Sequence, residues 1–286
     1  MFKRIIAALL LGALVMSLAA VPAQTAAPSR LILGMVPSRE AGRIVDNLNP
    51  LSQMLADRIG IPVEGFVSTD YTGLVEALGT GRVDMALFGP FSLVQAVDRY
   101  GAEVILASVR RGQTTYLSQF NVHVDSKINT WADLKGKVLA FVDPASASGY
   151  LFPFVFLQQQ GINPRSDLLT IFAGSHDAAV LAVYNKDVDV AVSFNDAREG
   201  LRREHPDVME KVRVLGYTSP IPNDGMVVRR GLNPELKEKI AVAMIEIAKT
   251  PEGQRLTREL FNVTAFARAT SEQYDIVRET ARVFAR

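Results

Sequence analysis

Short apolar runs alternate with amphipathic stretches along almost the whole chain. Arg30 to Val36 is a compact apolar run of strand length, and Asp46 to Arg58 carries Leu48, Leu51, Leu55 and Ile59 on one face of a helix. Strands are predicted at Ile61 to Val67, Val83 to Phe88 and Val104 to Val109, with helices at Tyr71 to Leu78 and Phe91 to Arg99 between them. The second half repeats the grammar. Strands at Lys137 to Val142, Leu168 to Phe172, Val188 to Phe194 and Val212 to Tyr217 alternate with helices at Tyr150 to Gln160 and Asp177 to Asn185. Pro234 to Lys249, Glu252 to Phe261 and Ser271 to Phe284 are predicted helical. Regular alternation of strand and helix predicts an α/β fold built on parallel, helix-covered sheets. Gly79-Thr80-Gly81-Arg82-Val83-Asp84-Met85-Ala86 and Asn185-Lys186-Asp187-Val188-Asp189-Val190-Ala191 share one plan: the end of a helix, a tight turn, and a strand with an early Asp. Two similar lobes are the simplest account, with a ligand between them at the carboxyl ends of the strands.

The first residues break this pattern. Lys3 and Arg4 precede an uncharged apolar run from Ile5 to Ala20, then Val21-Pro22-Ala23. That is the layout of a secretory signal peptide, residues 1–23, with cleavage expected after Ala23 or Ala20. The remaining residues, about 260, suit two lobes of about 130 each. The chain has no Cys, which excludes a disulfide framework, a thiolate nucleophile and a lipid anchor on cysteine. Its 31 Lys and Arg face 30 Asp and Glu; without Lys3 and Arg4 the balance is 29 to 30, a net charge of −1. Nucleic-acid binding normally needs a basic excess, so no nucleic-acid partner is expected. His123 and His205 have no neighbours at metal-ligand spacing, and neither a metal nor a cofactor is expected.

Four segments carry candidate chemistry. Asp143-Pro144-Ala145-Ser146-Ala147-Ser148-Gly149-Tyr150 joins a strand to a helix. A helix start offers unpaired amides and partial positive charge, Ser146 and Ser148 add hydroxyls, and Gly149 would allow close backbone approach, so the segment reads as an anion cradle. Ser68-Thr69-Asp70-Tyr71-Thr72 offers the Tyr71 hydroxyl, with Thr72 and the helix amides in support. Gly174-Ser175-His176-Asp177 offers His176 as a donor. Ile221-Pro222-Asn223-Asp224-Gly225 holds a carboxylate, which accepts but does not donate while ionised. Facing an anion, Asp224 would accept a P–OH and reject an oxyanion without a proton. Each segment also has an ordinary reading, as a capped helix start or a plain turn.

Together and in this order, these segments resemble the phosphonate/phosphite/phosphate-binding proteins of ABC transporters, the PhnD-like family. Asp70-Tyr71-Thr72, Phe88-Gly89-Pro90, Asp133-Leu134-Lys135-Gly136-Lys137-Val138, the serine loop with Leu151, the Ser175-His176 pair and the Pro222-Asn223-Asp224 turn carry the likeness. The resemblance implies a type II periplasmic-binding-protein fold: two Rossmann-like lobes joined by two crossover strands. The expected division is 24–116 and 218–286 for lobe 1 and 117–217 for lobe 2, with crossovers at Thr115 to Asn121 and Gly216 to Ile221. It also implies a small oxyanion ligand held by Tyr71, Ser146, Ala147 through its amide, Ser148, His176 and Asp224, and a membrane permease as partner; Thr72 is added from its place beside Tyr71. A monomer is expected. Two departures stand out: Ala147 where the family often has Ser or Thr, and Gly225 where it often has Pro or a larger residue. Four charge-assisted hydrogen bonds would contribute roughly 6–12 kcal/mol, against about 8 kcal/mol for micromolar affinity, so no Lys or Arg clamp is required by this estimate. The alternatives are a same-fold protein for a sulfonate, a thiamine precursor or an arsenic oxyanion, a ligand-sensing subunit for a membrane kinase, and an enzyme using Ser146, His176 and Asp224 as a triad. No Gly-x-Ser-x-Gly elbow supports the last.

Overall fold

A computed structural model of the chain describes residues 28–285, so the expected signal peptide lies outside the described residues. The elements run β1 (Leu31–Met35), α1 (Ala41–Ile59), β2 (Val63–Val67), α2 (Tyr71–Gly79), β3 (Met85–Phe88), α3 (Pro90–Tyr100), β4 (Glu103–Val109), β5 (Thr115–Tyr116) and β6 (Ser118–His123). Then come β7 (Val138–Phe141), α4 (Phe152–Gln159), β8 (Leu169–Phe172), α5 (His176–Tyr184), β9 (Val190–Phe194), α6 (Val208–Lys211), β10 (Val212–Tyr217), β11 (Ile221–Pro222), β12 (Gly225–Val228), α7 (Pro234–Ile247), α8 (Pro251–Phe261), β13 (Ala265–Arg268) and α9 (Asp275–Phe284).

Two sheets form. One has the strand order β13-β4-β12-β3-β1-β2, the other β10-β6-β9-β7-β8. Apart from the added edge strand β13, the two orders superimpose: β4 matches β10, β12 matches β6, and β3, β1 and β2 match β9, β7 and β8. The sheets are mixed rather than parallel. β12 runs antiparallel to β3 and β4, and β6 antiparallel to β9 and β10. The reason is topological. Each reversed strand is the first that the chain lays down after crossing from one sheet to the other, so it enters from the opposite end.

The crossings are the segments 110–117 and 218–224, where β5 and β11 pair as a two-stranded ribbon, Ile221 opposite Tyr116 and Pro222 opposite Thr115. They overlap the expected crossovers, but the stretch from Ser118 onward belongs to a sheet rather than to the connection. β13 was not anticipated as a strand, and β6 was expected only as part of the crossover strand Thr115 to Asn121. α1 starts earlier than its apolar stripe suggested because Glu40 caps it, accepting from the amides of Gly42 and Arg43. Leu48, Leu51, Leu55 and Ile59 are all buried, as the periodicity required.

The shared Asp of the two lobes has a structural task. Asp84 Oδ2 accepts from the amide of Ile32 in β1 at 2.9 Å, and Asp189 Oδ2 accepts from the amide of Val138 in β7 at 2.9 Å. In each lobe the carboxylate closes a backbone donor at the beginning of a central strand, where an unpaired buried amide would be costly. The carboxyl ends of those strands face the other lobe, and the candidate residues gather there.

Candidate functional site

The serine loop is tighter than an ordinary helix start. Ala147–Leu151 forms a π-helical turn, and the α-helix proper begins only at Phe152, with Pro153 in its first turn where no amide is needed. Ser146 caps the turn, its Oγ accepting from the Gly149 amide at 3.0 Å, and the Gly149 carbonyl accepts from Val142 at 2.9 Å. Gly149 does not line the cleft as expected. A Cβ there would stand 2.4 Å from the Val142 Cβ, so glycine is required by the packing of the loop on the end of β7. The first amides of the turn, at Ala147 and Ser148, have no intrahelical acceptors and lie at the cleft wall.

The other two helix starts are closed by the protein itself. In α2, the Tyr71 amide donates to Asp143 Oδ2 at 3.3 Å and the Gly73 amide to Asp70 Oδ1 at 2.6 Å. In α5, the His176 amide donates to the Ser38 carbonyl at 3.0 Å and the Ala178 amide to Ser175 Oγ at 3.1 Å. These helices contribute side chains, not amides. Thr72 is exposed and lies outside the cavity, contrary to expectation, because α2 turns its second position to solvent once Tyr71 points inward.

One cavity between the sheets is lined by Tyr71, Ser146, Ala147, Ser148, His176 and Asp224, together with Ser38, Arg39, Arg110, Tyr116 and Phe194. It thus brings together six of the seven expected residues. The cavity is small, about 20 Å³ of space for the centre of a water-sized sphere. The lobes are drawn together around it. Besides the Tyr71–Asp143 and His176–Ser38 contacts, Ser92 Oγ donates to the Ala145 carbonyl at 2.9 Å and the Glu40 amide to Asp177 Oδ2 at 3.2 Å.

The wall is rich in donors. The Tyr71 hydroxyl, Ser38 Oγ and Arg110 Nε are buried with no hydrogen-bond partner among the described residues. The Tyr71 hydroxyl neighbours Ser146 without an aligned hydrogen bond, and burial pushes its pKa well up, so it is a neutral donor. His176 Nδ1 accepts from the Phe194 amide at 3.2 Å, which leaves the ring proton on Nε2. Burial, with help from the charges of Arg39 and Arg110, lowers its pKa to about 3, so the imidazole is neutral at ordinary pH. Asp224 is buried; burial raises its pKa, while the guanidinium of Arg110, whose Nη2 contacts Oδ2, opposes the rise.

A sequence model of the family described as "ABC transporter, phosphonate, periplasmic substrate-binding protein" matches residues 33–274. The chain belongs to this family. It is 30% identical over 235 residues to the phosphonates-binding periplasmic protein of Escherichia coli K12, covering 80% of this chain and 70% of that one. It is 29% identical to the phosphate-import protein PhnD of Mycolicibacterium smegmatis, covering 74% and 70%. The solved structure of PhnD1 from Prochlorococcus marinus with methylphosphonate superimposes with a TM-score of 0.81 over 91% of this chain and 99% of that one, at 22% identity. The fold is therefore the type II periplasmic-binding fold.

Within the family, this chain's departures have visible surroundings. A Cβ at Gly225 would stand 2.5 Å from Leu93 Cδ1 and 2.6 Å from the Tyr274 hydroxyl, so a larger residue has no room. Ala147 lines the cavity without a hydroxyl to offer. The lining residues that sequence reasoning missed include Ser38, Arg39 and Arg110; an arginine was not required by the affinity estimate, and two are present. Arg39 follows β1 and its Nε donates to the Leu260 carbonyl at 3.0 Å; its Cζ stands 5.1 Å from the centre of the Phe194 ring. Arg110 opens the first crossing, with its Cζ 4.7 Å from the centre of Tyr116 and 5.9 Å from that of Phe194. Burial lowers the Arg39 pKa to about 10, which still leaves it charged near neutral pH. No sequence motif marked either one; Arg110 directly follows β4, and Arg39 stands four residues beyond β1.

Among the described residues no cluster of three or more His, Asp or Glu is placed to hold a metal ion. The Ser146, His176 and Asp224 side chains share the cavity but do not form a triad. His176 Nδ1 is an acceptor for a backbone amide, and Asp224 pairs with Arg110 rather than orienting the imidazole.

Proposed function

We propose that the chain is a periplasmic solute-binding protein that captures a small tetrahedral phosphorus oxyanion, a phosphonate, phosphite or phosphate, between its two lobes for an ABC importer. The observation that carries this is the convergence of unpartnered buried donors, the Tyr71 hydroxyl, Ser38 Oγ and Arg110 Nε, on one cavity at the serine loop. Buried donors without acceptors cost stability, and an acceptor-rich ligand removes that cost. The names of the family relatives point to the same ligand class. Ser146 and Ser148 with the amides of Ala147 and Ser148, the Tyr71 hydroxyl and His176 Nε2 donate to the oxyanion. Asp224 accepts its P–OH through the oxygen that Arg110 leaves free.

Lobe 1 comprises 24–116 and 218–286, and lobe 2 comprises 117–217. The lobes part to admit the ligand and close on it, because it then touches both. The mature protein, exported by the signal at 1–23, acts as a monomer, hands its ligand to a membrane permease and catalyses nothing. The geometry of His176 and Asp224 speaks against the Ser146 triad in particular.

Isothermal titration of the mature protein, refolded to strip carried-over ligand, tests the reading with phosphate, phosphite, methylphosphonate and sulfate. Micromolar or tighter binding of a phosphorus ligand with sulfate silent is expected. Asp224→Ala should weaken the phosphorus ligand about tenfold or more and narrow its margin over sulfate. Silence with every phosphorus compound would overturn the ligand assignment, and an unchanged ranking in Asp224→Ala would remove the role given to that carboxylate.

A further inference from the structure

The charges on the cavity wall are unequal. Two guanidinium groups, Arg39 and Arg110, line it with one carboxylate, Asp224, and a neutral imidazole. Arg110 engages Asp224 Oδ2. Two other carboxylates stand near but do not line the cavity, and of their oxygens Asp177 Oδ1 has no hydrogen-bond partner among the described residues. Asp143 accepts from the Ala145 amide at 2.7 Å and from the Tyr71 amide, and Asp177 accepts from Glu40, sits beside Arg39 and does not line the cavity. Both guanidinium groups are held in place. Arg39 is tied to the Leu260 carbonyl and lies over the Phe194 ring, and Arg110 lies over Tyr116 with its Nε buried and unpartnered among the described residues.

We propose that Arg39 and Arg110 act as a charge filter in the cavity, admitting oxyanions with an uncharged substituent and excluding those that carry an ammonium group. This rests on the reading of the cavity as a phosphorus oxyanion site and names the class within it. An ammonium brought into a buried cavity whose wall carries two guanidinium groups against one carboxylate meets a net positive charge that water does not screen. The same two groups favour the oxyanion itself. Arg110 Nε offers a charge-assisted donor, in a pocket where Ala147 has removed a neutral one. Alkylphosphonates and the simple phosphorus oxyanions are thus the substrate class, and aminoalkylphosphonates are not.

Ethylphosphonate and aminomethylphosphonate have the same number of heavy atoms and differ by a methyl against an ammonium. Their affinities for the mature full-length protein, measured by titration at a pH low enough that both phosphonates keep a P–OH while the amine is protonated, isolate charge from size. Ethylphosphonate is expected to bind about 30-fold or more tightly than aminomethylphosphonate. Arg110→Met should narrow that ratio about tenfold, by deleting one charge and releasing Asp224, while Arg110→Lys should keep most of it. Should Arg110→Met fail to fold, by thermal melt, Arg39→Met carries the same expectation of a narrowed ratio. Equal affinities in the unaltered protein overturn the filter. So does exclusion of both compounds while methylphosphonate binds, since size then accounts for the selectivity, and so does an unchanged ratio in the folded methionine variants. If methylphosphonate, phosphite and phosphate all fail to bind, the oxyanion reading itself falls and the filter with it.

Discussion

His176 shows how one residue's surroundings set its chemistry. The ring is buried, its Nδ1 is committed to the Phe194 amide, and two arginine charges stand nearby, so protonation is disfavoured in the folded state down to about pH 3. In the unfolded chain an imidazole titrates near 6.5. The unfolded state therefore binds the extra proton between those values. The contribution of His176 to stability is complete above about pH 6.5 and is lost as pH falls towards the folded value, on the order of a few kcal/mol across the window. Denaturant melts from pH 7 to pH 4 should show stability declining with acidity, and His176→Gln should flatten part of that decline. Unchanged slopes in the variant would mean that His176 is not the group responsible. Across pH 6–8 the ring stays neutral, so titration of His176 does not account for any change of ligand affinity there. The donors Tyr71, Ser146, Ser148 and His176 were legible in the sequence because each sits in or beside a strand-to-helix junction with its own capping pattern. Arg39 and Arg110 were not, because nothing local separates a buried arginine from a solvated one.

At the scale of the element, the serine loop depends on a close approach between its turn and the end of β7. The position of a Cβ at Gly149 would fall 2.4 Å from the Val142 Cβ and 2.8 Å from Ser146 Oγ. Gly149→Ala should therefore destabilise the protein by about 1–3 kcal/mol, through overpacking, and displace the Ser146 cap. A lower melting temperature together with at least a tenfold loss of oxyanion affinity is the expected outcome. A loss of stability with unaltered affinity would show that the loop tolerates the shift. The sequence marked this segment as a strand followed by a capped helix, and that much stands. The π-helical turn at Ala147–Leu151 was hidden because it arises from the fit of the loop against β7, not from the helical preference of Ala-Ser-Gly-Tyr-Leu. The paired tasks of Asp84 and Asp189 were half-visible: the sequence showed their equivalent positions, and the strands they tie were found only in the folded chain.

For the whole molecule, the decisive property is the relation between the lobes. The cavity is small, while several hydrogen bonds, Tyr71 to Asp143 and Ser92 to Ala145 among them, hold the lobes together. On the function proposed above, a ligand would enter when these contacts open and would stabilise the closed state by the bonds it adds on both sides. Ligand at about 100 times its Kd contributes about 2.7 kcal/mol, which for a chain of this size corresponds to a rise in Tm of roughly 5–10 °C. Small-angle scattering should show a smaller radius of gyration with ligand than without. A Tm rise without contraction would mean that the protein is already closed before binding, and hinge motion would drop out of the account.

The sequence by itself determined the succession of strands and helices, the two-fold repetition of that succession, and the junctions where the donors sit. Those features depend on neighbours within a turn or two, through hydrophobic period, capping side chains and turn residues. Only the tertiary structure decided which strands reverse direction, which helix amides are already taken, and which charges meet in the cavity. Arg110 and Asp224 are 114 positions apart, and Arg39 is held by a carbonyl 221 positions away. Such meetings depend on how two crossings bring one lobe against the other, and no local pattern of residues encodes that approach.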